Sequence, residues 1–465
     1  MTTRLYERVD HAVEQTTPVI QHIANEVWQF AELSLQEIKS AQLIINILQE
    51  QGFSITSKGT AGVPTAFMAE YGNGTPVLGF LVEYDALPGL GNEPVPYREP
   101  RKDQVTSGHG CGHNLLGAGT IGAAIALKNV LAEQKLPGTI RVYGCAAEET
   151  EGAKVYMARA GLFKDLDAAL HWHPSASAEV SNYRSAAIDQ LKIEFFGKGA
   201  HAGGTPWLGR SALHAAELFA HGINLMREHV EPTARLHYIY ESAGLAPNVV
   251  PDYARICLYV RDCDRAHVEA TTPWVKQIAE GAALATQTSS KVLVYTGIYD
   301  LLPNTPLAER MQANLEKVGV PTFNEEEQAF AREVQRNFGV EQEGLALETI
   351  PLMDETISMG FSTDIGDVSW NAPTMGCGMP TMPIGVSVHT WAATACHGMS
   401  IGLKGALQAA RVLAWTGFDI MTDAELRQAA RADFERRIKE RPYVSPLSPE
   451  MKHPLELPDW VSNVL

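Results

Sequence analysis

The sequence has few basic residues, few cysteines and no long hydrophobic run. Among its 465 residues, 37 basic side chains stand against 54 acidic ones, which gives a net charge of −17. No basic block offsets this balance, so nucleic acid and anionic membranes are not expected partners. No stretch approaches the roughly 18 apolar residues of a membrane span, and the first twenty residues lack the pattern of a secretory signal. We therefore expect a cytoplasmic protein.

The cysteine content argues against a disulfide-stabilised protein. Six cysteines in a chain of this length are too few for a disulfide framework. We expect most of them to lie in the core, with one or two available for chemistry. The hydrophobic fraction of 45% and the charged fraction of 20% are typical of a globular protein. A chain this long predicts about two or three domains.

The pattern along the chain predicts an α/β fold. Apolar residues recur at helical spacing over the first fifty residues, and a second helical run ends at Gly52. The segments "PVLGFLVEYDALPG" and "TIRVYGCAAEE" are apolar enough to be strands covered on both faces. The run "NLLGAGTIGAAIALKNVLAEQ" between them predicts a helix rich in small residues. This alternation indicates a mixed sheet flanked by helices.

A change of pattern near residue 187 indicates an inserted domain. From there to residue 300, strands alternate with two helical runs, as in an α+β, ferredoxin-like sandwich. Residues 1–186 and 301–440 would then form one domain in two parts, and 187–300 a second. The second part would hold a Met-rich loop, "TMGCGMPTMP", and a helix from about Met399 to Trp415. Residues 441–465 are rich in proline, which predicts an extended tail on the surface.

The segment "GHGCGHN" places His109, Cys111 and His113 among glycines. Taken alone it is weak evidence for a metal site, because a glycine-rich turn explains it equally well. Four other clusters are similarly ambiguous. Glu148 and Glu149 follow a predicted buried strand, where a solvated helix start is the simpler interpretation.

The histidines further along the chain are also open to two interpretations. His171 and His173 lie two residues apart in a predicted strand and therefore share a face, although a buried core histidine is the commoner case. His389 ends the apolar run "SVHTW", with His397 as its competitor. Asp85 ends another buried strand, where it could cap a turn or support a metal-bound histidine.

These clusters gain weight together because all of them fall at or just after the ends of predicted core elements. In open α/β sheets, ligands bind beyond the carboxyl ends of the strands. One thiolate, several imidazoles and two carboxylates form a donor set that suits zinc, manganese or cobalt. With two such ions, one carboxylate can bridge them while another acts as the base towards a water. A metal site is therefore the favoured interpretation.

Seven ordered motifs resemble a known family over nearly the whole chain. They are "EYDALP", "HGCGHN", "AAEETEGA", "DAALHWHP", "GKGAHAGGTPWLGRSAL", "APNVVPDYA" and "VHTW". They are similar to the di-metal peptidases that include aminoacylase, carboxypeptidase G and the indole-acetyl-amino-acid hydrolases. The Cys-Gly-His form and "STDIGDVSW" look most like the branch that contains aminobenzoyl-glutamate hydrolase and its amidohydrolase relatives. The resemblance implies a di-zinc exopeptidase fold whose inserted domain serves in dimerisation and as a lid.

The resemblance also implies roles for particular residues. The metal ligands would be Cys111, His113, Glu149, His173 and His389. Glu149 would bridge the ions, Glu148 would be the general base, and Asp85 would support a ligand. His173 is preferred over His171 because the family's ligand lies six residues after an acid, here Asp167; His109 stays unassigned. In the insert, His201 would stabilise the oxyanion in a partner subunit's site, and Asn248 and Arg261 would hold the substrate's carboxylate.

The implied activity is hydrolysis of an amide bond in an N-acyl amino acid or dipeptide-like substrate, such as an aromatic-acyl glutamate. Two divalent ions, Zn²⁺, Mn²⁺ or Co²⁺, would activate a water between them. A homodimer is expected, and a second kind of subunit is an open alternative. The Met-rich loop would suit an apolar acyl group. The alternatives are a dipeptidase, a long-chain aminoacylase, a hydrolase with Cys111 as nucleophile, and a non-catalytic binding or regulatory protein.

Overall fold

The computed structural model of the chain describes residues 2–449, 451, 452 and 454. The described residues divide into two compact units. The first lies within Met1–Tyr183, Leu302–Ile357 and Val368–Tyr443. The second lies within Arg184–Leu301, Ser358–Asp367 and Val444–Leu465. The second unit thus includes two segments outside the predicted insert of residues 187–300.

Helices and strands alternate through much of the described chain. The helices are α1 (Thr2–Phe30), α2 (Ile38–Glu50), α3 (His113–Gln134), α4 (Ala153–Arg159), α5 (Ala212–Met226), α6 (Arg265–Thr286), α7 (Thr305–Val318), α8 (Glu325–Phe338), α9 (Ile365–Ser369), α10 (Trp391–His397), α11 (Ser400–Thr422) and α12 (Ala424–Ile438). The strands are β1 (Ser54–Lys58), β2 (Phe67–Asn73), β3 (Val77–Val82), β4 (Gly138–Gly144), β5 (Ala168–Ser175), β6 (Glu179–Val180), β7 (Ala187–Phe196), β8 (Arg235–Ser242), β9 (Tyr253–Asp262), β10 (Ser289–Ile298) and β11 (Thr374–Pro380).

The first unit contains a mixed sheet in the order β1-β2-β4-β3-β5-β11-β6. The four strands β4, β3, β5 and β11 are mutually parallel, whereas β1, β2 and β6 pair antiparallel. Every residue of β3 and of β11 is buried, as expected for strands covered on both faces. Because the four central strands are parallel, their carboxyl ends meet at one edge of the sheet. The predicted α/β class with a mixed sheet is confirmed.

Helix α3 packs deep inside the first unit because its small residues allow close approach. A Cβ added at Gly119 would lie 2.8 Å from the carbonyl oxygen of Ala406 in α11, and one at Gly122 would lie 2.3 Å from the Cδ1 of Ile20 in α1. By length and composition alone α3 could cross a membrane. Its most apolar window is 83% buried within the protein, as is typical of a core helix.

The structure differs from the sequence-based expectations at the carboxyl side of the first unit. The Met-rich segment is not a loop, since its first half forms β11 between β5 and β6. Met375 and Met379 are buried in the core, so they do not line an adaptable pocket. The glycines of this strand are typical of a loop, so the sequence did not indicate a strand. In the structure, Gly376 leaves room for the His171 ring, which would be 2.2 Å from an added Cβ. Helix α11 also continues to Thr422, beyond the predicted end.

The second unit contains a four-stranded antiparallel sheet in the order β10-β7-β9-β8. Its elements follow one another as β7-α5-β8-β9-α6-β10, which is the ferredoxin-like arrangement. Apolar residues of α5 and α6 pack on one face of the sheet, around Phe195, Phe219 and Leu258. Val444, in the predicted tail, is hydrogen-bonded to the hydroxyl group of Tyr299. Residues 450, 453 and 455–465 of that predicted tail lie outside the described residues.

Candidate active site

The candidate site begins where strand β3 meets helix α3. His113 opens α3, and its Nδ1 donates to Oδ1 of Asp85 at 2.8 Å. The other carboxylate oxygen of Asp85 accepts from Ser34 Oγ at 2.9 Å and from the backbone N–H of Glu149 at 3.0 Å. Because Asp85 fixes the tautomer, Nε2 of His113 carries the lone pair that a metal would take. Among the described residues this buried Nε2 has no hydrogen-bond partner.

Two groups of three donor residues that share Cys111 meet in the first unit, beside a third group of Glu83, His113 and Glu148. Cys111, His113 and His173 form one group, and Cys111, Glu149 and His389 form the other, with the donor atoms of each group within 4.8 Å of one another. Sγ of Cys111 lies 3.3 Å from Nε2 of His173, and Oε1 of Glu149 lies 3.3 Å from Nε2 of His389. Since Cys111 belongs to both groups, it is the residue placed to be shared. Glu149, the bridging residue expected from the sequence, belongs to one group only.

The segments that carry these donors have unusual backbone conformations. Gly112 has φ +83°, and a Cβ there would lie 2.8 Å from both the Pro174 and the His397 side chains. His389 has φ 61° and Ala147 has φ 54°, a region that residues other than glycine rarely adopt. The N–H of His389 donates to the carbonyl oxygen of Gly110 at 2.9 Å. Such strained positions are typical of functional sites, where the surrounding structure holds them in place.

The buried thiol of Cys111 does not behave as a free nucleophile. Burial, followed by the nearby Glu149 carboxylate, raises the pKa of this thiol well above its usual range. A thiol nucleophile needs a lowered pKa. A bound cation would supply the positive charge that stabilises the thiolate. The environment of Cys111 therefore favours a ligand role over nucleophilic catalysis.

Glu148 lies beside the first group of donors. Its Oε2 is 3.9 Å from Nε2 of His113, and its side chain is 12% exposed. The turn that carries Glu148 and Glu149 is held by Glu37, whose Oε1 accepts from the N–H of Ala147 at 2.7 Å. The other oxygen of Glu37 accepts from Thr65 Oγ1 at 2.7 Å. No pattern in the sequence indicates this role of Glu37, because its contact with Ala147 is made across more than a hundred residues of chain.

Two of the remaining histidines of the motifs are held by hydrogen bonds in the core. His109 donates from Nε2 to the carbonyl oxygen of Val27 at 2.9 Å, and burial lowers its pKa to about 3. His397 contacts the carbonyl oxygen of His109 through Nδ1 and Thr381 through Nε2, and burial lowers its pKa to about 4. His171 is buried against Gly376 and belongs to neither donor group. His397 is therefore not the donor beside Glu149.

Sequence reasoning missed a buried ion pair at the same edge of the sheet. Glu83 follows β3 directly, and its Oε1 lies 2.7 Å from Nζ of Lys154 in α4. Its Oε2 lies 3.2 Å from Nε2 of His113. The available signal was spacing: Glu83 stands two residues before Asp85, so in an extended segment the two side chains share a face.

The three candidate residues of the second unit are less enclosed. His201 and Asn248 are exposed on adjacent backbone segments, where the N–H of Ala202 donates to the carbonyl oxygen of Asn248 at 3.0 Å. Nδ1 of His201 accepts from the N–H groups of Gly203 and Gly204 at 3.2 and 3.0 Å. Arg261, in β9, donates from Nη1 to Oγ of Ser362 at 3.1 Å. Among the described residues, its buried Nε has no hydrogen-bond partner.

The first unit's donor residues fit a pair of divalent cations. A thiol, imidazoles and a carboxylate suit zinc and its neighbours in the first transition row. The unpartnered Nε2 of His113 lies where such an ion would bind. A mixed sheet with these donors near the carboxyl ends of its parallel strands is the arrangement expected of a metal-dependent α/β enzyme.

Comparison with known proteins identifies the family. The model of peptidase family M20/M25/M40 matches residues 79–450, and the chain belongs to this family. It is 35% identical to a p-aminobenzoyl-glutamate hydrolase subunit of Escherichia coli K12, over 95% of this chain and 97% of that protein. It is 27% identical to human Xaa-Arg dipeptidase, over 95% of this chain and 94% of that protein.

Solved structures share the fold. A dinuclear metal-binding peptidase of the M20 family from Bacillus subtilis aligns with a TM-score of 0.53 at 18% identity. The alignment covers 86% of this chain and 99% of that one. An aminobenzoyl-glutamate utilization protein from Klebsiella pneumoniae aligns with a TM-score of 0.58 at 18% identity, over 87% of this chain and 98% of that one. These similarities confirm the fold predicted from the motifs.

Proposed function

We propose that the first unit binds two divalent cations and that the protein hydrolyses the amide bond of an N-acyl amino acid, with an aromatic-acyl glutamate as the first candidate. The observation that carries this proposal is the convergence of Cys111, His113, His173, Glu149 and His389 at one edge of a sheet. The family and the 35% identical relative support the reaction class and the candidate substrate.

Two cations held by these residues would polarise the amide carbonyl and acidify a water molecule. Within the protein, Glu148 is positioned to accept the proton of that water, since it lies beside His113 and is not fully buried. The same carboxyl group can then deliver a proton to the departing nitrogen, acting first as base and then as acid. Asp85 keeps His113 in the tautomer that leaves Nε2 available.

The second unit would supply groups that bind the substrate. Arg261 offers a planar guanidinium suited to a carboxylate, and its buried, unpartnered Nε among the described residues supports this role. Asn248 would contribute a second polar contact. His201 would stabilise the oxyanion, and because its Nδ1 is held by its own loop, Nε2 is the nitrogen that would reach it. We propose that this histidine acts in the site of a second copy within a homodimer.

A dipeptidase is the second candidate, because human Xaa-Arg dipeptidase is similar over most of the chain. The test combines metal analysis of the purified protein with a hydrolysis screen. The panel should contain aromatic-acyl glutamates, other N-acyl amino acids, long-chain N-acyl amino acids and dipeptides ending in arginine. We expect two divalent ions per chain and the fastest hydrolysis of an aromatic-acyl glutamate. A protein that holds no divalent ion and retains its rate in a chelator would contradict the proposal.

A further inference from the structure

The ion pair between Glu83 and Lys154 is buried almost completely. Glu83 is 1% exposed and Lys154 is 0% exposed. A buried ion pair is weak evidence for a stabilising role, because desolvation of both charges offsets their attraction. A pair of apolar residues would fill the same space at lower cost. The position of this pair, at the carboxyl end of β3, calls for another explanation.

Only one oxygen of Glu83 faces the lysine. Oε1 lies 2.7 Å from Nζ of Lys154, whereas Oε2 lies 3.2 Å from Nε2 of His113. Asp85 already accepts a hydrogen bond from Nδ1–H of this histidine, so Nε2 presents a lone pair when the ring is neutral. A carboxylate oxygen facing that lone pair is repelled unless a proton or a cation lies between them. A divalent cation bound to both atoms would remove this repulsion.

The spacing matches that of two ligands on one ion. Ligand atoms about 2.1 Å from a cation lie about 3.0 to 3.5 Å apart at octahedral to tetrahedral angles. The 3.2 Å between Glu83 and His113 falls in this range. So do the 3.3 Å between Cys111 and His173 and the 3.3 Å between Glu149 and His389. Glu83, His113 and Glu148 also place their donor atoms within 4.8 Å of one another.

We propose that Glu83 is a further ligand of the cation bound to His113, and that Lys154 positions its carboxylate. This inference rests on the proposed function, since it needs the metal pair. It makes the two cation sites unequal. The first would gain the Glu83 carboxylate beside His113, whereas the second would have Cys111, Glu149 and His389 only, which leaves a position for water or substrate.

The test uses the full chain and measures metal binding rather than turnover alone. In Glu83→Gln, Lys154 would keep its buried charge but lose the carboxylate of Glu83, and the protein could fail to fold. The double variant Glu83→Gln/Lys154→Met removes both charges and is the main test protein. Glu194→Gln is the matched control, because Glu194 is another buried carboxylate, in β7 of the second unit, bonded to Tyr253 at 2.6 Å.

The readouts are metal content after dialysis, zinc affinity by competition with a chelator, and the visible spectrum of the cobalt(II)-loaded protein. We expect the double variant to lose at least 10-fold in affinity at one of its two sites, with a changed cobalt spectrum. Glu83→Asp should recover part of the affinity. Glu194→Gln should match the unmodified protein in every readout.

Unchanged affinity and an unchanged cobalt spectrum in the double variant would overturn the role of Glu83. If the unmodified protein nevertheless holds two ions and hydrolyses the amide, the proposed function survives that result. If the unmodified protein binds no divalent ion, the proposed function and this inference fail together.

Discussion

The candidate site residues of the two units differ in their burial and in the groups that they contact. In the first, His113 and Asp85 are fully enclosed, and each is held by a second buried or partly buried polar group. In the second, His201 and Asn248 are exposed, and their contacts are with neighbouring backbone. The first unit therefore assembles its donor residues from within. In the second unit, the proposed roles of Asn248 and His201 depend on groups from outside the unit. These are the substrate for Asn248 and the site of a second copy for His201.

The contrast separates a site built within one copy of the chain from groups that are proposed to act on a second copy. A cation site is recognised by the mutual distances of its donor atoms, and those distances lie within one unit. An oxyanion-stabilising histidine is recognised by the distance between its ring nitrogen and the carbonyl oxygen of the reacting amide.

The largest effect is expected for Glu148→Gln in the first unit. The amide cannot accept the proton, so turnover should fall by about 10³-fold, within the range of general-base catalysis. Metal content should stay near normal, because the proposed ligands Cys111, His113, Glu149, His173 and His389 are all retained. Steady-state kinetics and elemental analysis on the same preparation provide both measurements.

The control for this prediction is Glu309→Gln, which changes an exposed glutamate of α7. It should leave turnover and metal content unaltered. If Glu148→Gln keeps most of its activity, Glu148 is not the base. If it loses its metal instead, Glu148 is a ligand and the two glutamates have been assigned in the wrong order.

An intermediate effect is expected for His201→Ala in the second unit. Removal of one oxyanion donor should lower kcat by about 10²-fold or more. The informative experiment is co-expression with Glu148→Gln. If His201 serves the other copy, each mixed dimer has one intact site, and about a quarter of the normal activity should return.

No recovery on co-expression would place His201 in the site of its own chain, because both chains of a mixed dimer would then carry a defect. His221→Ala is the control, since His221 is an exposed histidine of α5. Its kcat should be that of the unmodified protein, with or without co-expression.

The sequence could indicate candidate donors in the first unit because these residues stand next to buried strands. Periodicity and apolar runs indicate where β3 and β5 lie, and parallel strands bring their carboxyl ends together. The sequence-based predictions failed where contacts between distant segments of the chain determine the structure. The glycines of β11 predicted a loop. In the structure they belong to a strand and leave space for the side chains of His171 and Glu179. The partnership of Glu83 with Lys154 depends on the packing of α4, which no local pattern encodes.

The smallest effect is expected for Asp300→Asn, which concerns stability alone. Asp300 is buried in the second unit, where its Oδ1 accepts from the backbone N–H of Arg265 at 3.1 Å. Burial raises the pKa of Asp300 from its ordinary value of 3.8 to about 6. The folded protein therefore holds this proton more tightly than the unfolded chain. The stability it contributes is complete below about pH 4 and is lost as the pH rises through 6.

Asparagine does not titrate, so the free energy of unfolding of Asp300→Asn should improve relative to the unmodified protein between pH 4 and 7. The gain should be on the order of 3 kcal/mol at most, since each unit of pKa shift corresponds to about 1.4 kcal/mol. Urea denaturation at several pH values measures it, with Glu309→Gln again as the reference. A difference that stays constant with pH would show that Asp300 is ionised throughout, in which case the second unit also stabilises a buried charge, as the first unit does around His113.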